Sequence, residues 1–151
     1  MGITILFNGQ QYRTLLDARI AEELTARRVG FEYRQHQLEW QTRDGKERHV
    51  MLLDFTLDNG THLVCCKPRS KAERDRLMTA NAIFFKERLR FIVESDDKIS
   101  KQSKYRYSDW AARSGLHMAV GTELPPEWLN TPSVPLELIL QRDNAASLHV
   151  H

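Results

Sequence analysis

Two rhythms of apolar residues run along this chain. Over residues 14–28, Leu16, Ile20 and Leu24 return every four positions with Ala21 on the same stripe, the spacing of an amphipathic helix. Over 31–40, 50–57 and 61–66 the apolar, aromatic and β-branched residues follow the shorter rhythm of strands, broken in 31–40 around Gln35-His36. Arg43-Asp44-Gly45-Lys46 predicts the turn between the first two of these strands. Asp58-Asn59-Gly60 predicts the next one, since an Asn-Gly pair tolerates positive φ at both turn positions. Ser70-Lys71-Ala72-Glu73 is a capping box opening a helix with the stripe Leu77, Ala80, Ile83 and Phe84. Residues 89–93 form a short apolar run of the kind found in strands covered on both faces. A polar stretch, 94–106, separates it from a short helix that Ser108 is expected to cap and Gly115 to stop. A final strand is expected over 116–120, and an apolar piece over 3–7 opens the chain as an edge strand or dimer arm. The order is helix, three-strand meander, helix, strand, helix, which predicts a mixed α/β sheet flanked by helices. Prolines at 125, 126, 132 and 135 punctuate the residues after the last strand, so the expected division is a domain over 1–130 and a tail over 131–151.

Composition narrows the function classes without choosing one. At 151 residues, 41% hydrophobic and 28% charged, the chain has the make-up of one ordinary globular domain. Its formal net charge of +2 is small, so a nucleic-acid surface must be a local patch. No apolar run approaches the roughly 20 residues of a membrane span, and no signal layout opens the chain. The two cysteines, Cys65 and Cys66, are strand neighbours with diverging side chains, which disfavours a disulfide and points to a reducing, intracellular setting. The six histidines form no zinc-like cluster, and the His149-Val150-His151 end reads as a frayed terminus.

The position that changes the picture is Asp54, a carboxylate inside an apolar strand. Such a group is costly unless it is paired or binds a cation. On the next strand the period of two places Leu63, Cys65 and Lys67 on one face and His62, Val64 and Cys66 on the other, so Lys67 is expected across from Asp54 with Cys65 beside it. Asp17 lies on the inward stripe of the first helix. Thr14-Leu15-Leu16-Asp17 also matches a capping box, and capping and metal ligation are not exclusive there. An acid on one strand followed by a two-residue repeat ending in lysine on the next is the layout of a metal-dependent nuclease.

Three ordered blocks carry a resemblance: YRTLLDARIAEELTARRVGFEY, LDFTLDNG with its lysine-ended strand, and SDWAARSGL followed by LPPEWL. Together they cover most of residues 12–129, and the chain resembles the phage endonuclease I family of Holliday-junction resolving enzymes, within the PD-(D/E)xK nuclease superfamily. The resemblance implies a restriction-endonuclease-like sheet, an intertwined homodimer that exchanges amino-terminal elements, basic channels for four-way junctions, and cleavage with magnesium. By position it puts Asp54 on the central metal-binding aspartate, Asp17 where the family has a helix glutamate, and Lys67 on the catalytic lysine. The implied metal donors are then Asp54, Asp17 and the backbone carbonyl of Cys66. Cys65 stands where the family has its second metal-binding carboxylate, one extra residue lies between Gly60 and Lys67, and Pro68 replaces a usual glycine.

Magnesium demands oxygen ligands in near-octahedral geometry, whereas a thiol suits softer ions. A thiol at 65 therefore implies a degenerate centre, unless Glu73 on the following helix supplies the missing ligand. Arg13, Arg69, Lys71, Lys98, Lys101, Lys104 and Arg106 form the expected DNA footprint, with Tyr105 and Tyr107 interleaved; the bland reading of 94–106 is a solvated loop. Three functions stay open on the sequence alone. One is a structure-selective binder of branched DNA whose cleavage is lost, a pseudoenzyme. The second is an active magnesium-dependent endodeoxyribonuclease using Asp17, Asp54 and Lys67, with a transposon end-cleaving nuclease as a more distant variant. The third is a dead nuclease fold acting on a protein partner as an interaction or inhibitor module. All three place the protein in the cytoplasm, the host's if it is phage-encoded, with no membrane partner.

Overall fold

The computed structural model describes residues 5–130. The tail over 131–151, with the His149 to His151 end, and the first residues of the predicted opening strand lie outside the described residues. The chain runs β1 (Ile5–Phe7), β2 (Gln10–Tyr12), α1 (Leu15–Ala26), β3 (Phe31–Gln41), β4 (Arg48–Leu57), β5 (Thr61–Cys65), α2 (Lys71–Ile83), β6 (Arg88–Val93), α3 (Tyr107–Ser114), β7 (Met118–Val120) and α4 (Pro126–Leu129). β1 and β2 form a small hairpin of their own. The main sheet has five strands in the order β3-β4-β5-β6-β7, antiparallel through β5 and parallel from β5 to β7. The mixed α/β class expected from the pattern is the architecture found.

The sheet separates two apolar clusters. Ala18, Ile20, Ala21 and Leu24 of α1 pack with Leu63, Ile92 and Ala119, while Leu77 and Ala80 of α2 pack with Val64, Leu89, Phe91 and the α3 residues Trp110 and Ala111. Neighbours on β5 and β6 thus alternate between clusters, as the period of two requires, and a strand buried on both faces is apolar at nearly every position. Ile83, expected on the inner stripe of α2, is instead 48% exposed, because the helix ends there and Phe84 turns in its place toward Trp40.

One irregularity breaks this order, and it shapes the site. Between Tyr33 and His36 the β3–β4 register shifts, so Arg34 and Gln35 together face Asp54. The alternation lost around Gln35-His36 in the sequence is this β-bulge. Arg34 adopts φ 55°, a left-handed conformation uncommon for a non-glycine residue. On β4, Met51 and Leu53 belong to the α2 cluster, yet Phe55 and Leu57, of the same parity, belong to the α1 cluster. Both strands therefore exchange faces at the same point, and Asp54 sits at the exchange.

Two local expectations need correction. In the β4–β5 turn only Gly60 takes positive φ, 87°, while Asn59 uses its side chain, accepting from Thr61 N and donating to the carbonyls of Trp128 and Asn130. That is a three-residue loop closed by a left-handed glycine rather than a two-residue Asn-Gly turn. α3 is capped at Arg106, whose N–H donates to Asp109; Ser108 lies inside the first turn and hands its hydroxyl to Asp96. The aromatic residues of β3 are covered, since Tyr33 is buried and Phe31 and Trp40 pack against the clusters.

His62 on β5 is 5% exposed, with Nδ1 3.0 Å from Thr56 Oγ1. Burial pushes its imidazole down to about 4, with His36 adding to the effect. The unfolded chain therefore binds this proton more readily than the fold. The stability that the neutral ring contributes is complete above the usual histidine value near 6.5 and is lost as pH falls through about 4. That loss is on the order of 3 kcal/mol. His62→Gln should flatten the stability profile in this window, as measured by denaturant midpoints against pH.

Candidate nuclease centre

Asp17 and Asp54 are among the few buried charged residues described, 1% and 3% exposed. Asp17 reaches the sheet because Thr14 caps α1 alone: its Oγ1 accepts from Asp17 N at 3.0 Å. The return half of the box is absent, and the Asp17 carboxylate turns inward to accept from the Tyr33 hydroxyl at 2.5 Å. Asp17 Oδ1 has no hydrogen-bond partner of ordinary geometry. Burial, then the bond to Asp17, raises the Tyr33 hydroxyl far above its usual value, so it stays a donor.

Asp54 is satisfied by the protein itself. Arg34 Nη1 donates to Oδ1 at 2.9 Å and Cys65 N donates to Oδ2 at 2.8 Å. The second bond replaces a rung of the β4–β5 ladder, whose regular pairing stops at Phe55. Burial raises the Asp54 carboxyl above its ordinary range; the Cys65 N–H works against this, Asp17 adds to the rise, and Arg34 and Arg13 oppose it. Cys65 faces the same side. Burial first, then Asp17 and Asp54, holds its thiol well above the ordinary value, so it stands beside the carboxylates as a neutral group. Cys66 points into the α2 cluster, its N–H donates to Ile92 O, and its thiol is pushed up to about 12 by burial and Asp54.

Asp17, Asp54 and Cys65 lie close enough to shift one another's ionisation, and Lys67 makes no ion pair with either carboxylate. β5 ends at Cys65, and Lys67 is exposed with no hydrogen bond or ion pair among the described residues. Arg34 takes the place against Asp54 that was expected for Lys67. The broken alternation in 31–40 was the only sequence signal for it. Glu73 is held at the start of α2, 3.3 Å from both Ser70 Oγ and Arg69 N, and does not enter the centre. Among the described residues no three or more His, Cys, Asp or Glu side chains are gathered as a metal cluster.

The basic stretch is anchored rather than loose. Lys98 and Arg106 form an isolated antiparallel bridge, and Ile99 N donates to Tyr105 O at 3.0 Å. Tyr107 donates to Pro68 O at 3.4 Å, and Arg74 Nη1 donates to Ile99 O at 3.1 Å. These bonds hold 98–106 beside the segment that carries Lys67 and Arg69 out of β5. Lys98, Lys101 and Lys104 are exposed; Lys71 is paired with Asp75, and Arg106 donates to Asp96 O. Arg13, exposed at the foot of α1, lies close enough to Asp54 to lower its pKa.

The phage endonuclease I family model matches residues 4–145. The chain belongs to the phage endonuclease I family. Comparison with curated proteins gave no match. The match extends beyond α4, so the family resemblance covers the described fold and most of the following segment. Membership implies a nuclease of the junction-resolving type, with DNA as its substrate. No helix among the described residues is long and apolar enough to cross a membrane.

Proposed function

We propose that this phage endonuclease I family protein binds branched DNA, four-way junctions above all, and that its centre as built does not support magnesium-dependent cleavage. The observation that carries the reading is that both Asp54 oxygens are taken, by Arg34 and by the N–H of Cys65, where the residue beside them is a thiol and not a carboxylate. Magnesium takes hard oxygen ligands in near-octahedral geometry. Here one carboxylate oxygen accepts from Tyr33, both oxygens of the other accept from Arg34 and Cys65 N, and Asp17 Oδ1 has no partner of ordinary hydrogen-bond geometry among the described residues. The residues present do not fit that ion, so no cleavage step is assigned to them.

DNA binding is supported by charge and placement. Arg13 and Arg34 flank the carboxylates, and Lys67, Arg69, Lys98, Lys101 and Lys104 extend outward from the same end of β5. Cations so arranged contact phosphates, which set affinity and orientation on branched DNA. Replacing Lys98, Lys101 and Lys104 together with glutamine should weaken junction binding in a gel-shift titration and reduce the slope of log K against log salt by roughly 3. An unchanged slope would remove the stretch from the interface.

The functional unit in this reading is a homodimer. β3 is an edge strand of 11 residues with one backbone side unpaired among the described residues, a liability that a second copy would cover. Light scattering at micromolar concentration should return twice the chain mass; a monomer there would count against the dimer.

A further inference from the structure

We infer that Arg34 is a resident counter-cation, holding the place beside Asp54 that a divalent ion would otherwise take. The inference rests on the reading of Asp17 and Asp54 as the family's nuclease centre. A regular β3 would set one residue opposite Asp54; the bulge sets two, and Arg34 is the one whose guanidinium turns onto the carboxylate. Its backbone accepts φ 55° to do so, a conformation that glycine would adopt more easily. A left-handed backbone at a non-glycine residue that delivers one specific ion pair to a buried acid is a built arrangement.

The charge balance is consistent. The Asp54 side chain is 4% exposed and that of Arg34 27% exposed, so this is a largely dry pair and not a surface bridge. Cys65 N completes the second oxygen, leaving Asp54 fully satisfied without any ion. A divalent ion at Oδ1 would meet the guanidinium as a like charge, and would have to expel it before binding. The centre is thereby closed to metal twice, by a thiol that does not ligate hard ions and by an arginine that already does the ion's electrostatic work.

The test is manganese binding, read by electron paramagnetic resonance and by the shift in melting temperature, on the full chain. Wild type should show no manganese-dependent rise in melting temperature. Arg34→Met should melt lower than wild type in chelator, because Asp54 is left buried without a cation, and manganese should restore the loss. Arg34→Gly removes the same charge while suiting the left-handed backbone, so it keeps the test valid if the methionine variant does not fold. Either variant should bind manganese at least about tenfold more tightly than wild type. Adding Asp54→Asn should abolish the gain. Equal manganese binding by wild type and Arg34→Gly, whether tight or absent in both, would overturn the inference. Junction binding by the same proteins in chelator is a separate readout: its loss in wild type would sink the proposed function and leave the manganese result to be judged alone.

Discussion

Cys65→Glu should raise magnesium-dependent junction cleavage by about a hundredfold or more, since each 1.4 kcal/mol of transition-state stabilisation is roughly tenfold in rate and a restored metal ligand supplies several such steps. The new carboxylate would stand on the face that already carries Asp17 and Asp54, where the donor set lacks hard oxygens. Magnesium should also raise the melting temperature of the variant, because an ion that binds only the fold stabilises it. Adding Asp54→Asn should remove both gains, since the two carboxylates would serve one ion. Cys66→Glu is the control: it directs the acid into the α2 cluster and should only destabilise. Combining Cys65→Glu with Arg34→Gly should exceed Cys65→Glu alone. Vigorous wild-type cleavage that Cys65→Glu leaves unchanged would refute the depleted centre and restore the active-endonuclease reading.

The largest effect on stability is expected from Phe55→Ala. Phe55 is fully buried, 5.4 Å from the Phe31 ring and 5.1 Å from the Tyr33 ring, between the strand that carries Asp54 and the face covered by α1. Large-to-small changes of this kind cost about 3–5 kcal/mol, from lost burial and the cavity left behind. That is a large share of a typical stability of about 5–15 kcal/mol. The melting temperature should fall by about 10 °C or more. Because Tyr33 rests on Phe55 and donates to Asp17, the loss should also loosen the carboxylate pair. A calorimetric shift of only a degree or two would mean that the aromatic group is not the keystone of this face.

Elements with strong periodicity were legible before the structure. The stripe of α1, the alternation of Leu63, Val64, Cys65 and Cys66, and the Ser70–Glu73 cap all appear where the residues place them. The proximity of Asp17, Asp54 and Cys65 was likewise legible, because two ordinary periods converge on it. Arg34 was not, since its role depends on an extra residue in β3 and on the face exchange of β4, neither of which a regular period contains. For Lys67 parity alone supplies a face, while β5 ends two residues earlier. Ser108 and Asn59 were assigned the commonest local roles for their residue types, and tertiary partners, Asp96 and the carbonyls near α4, took them instead.

The bulge opposite Asp54 also makes chain length, and not only residue identity, a condition of the centre. Tyr33 pairs with Phe55 and His36 with Leu53, so the two residues between them share the single place opposite Asp54. Deleting Gln35 would leave one residue opposite Asp54 and keep Leu38 opposite Met51, so the strand pairing would survive while the bulge that turns Arg34 onto the acid would be lost. The pairing of the strand tolerates that one-residue gap, whereas the approach of the arginine to the acid does not. Lineages carrying this centre are therefore expected to vary freely in the 42–47 turn and to hold the spacing from Tyr33 to His36 constant.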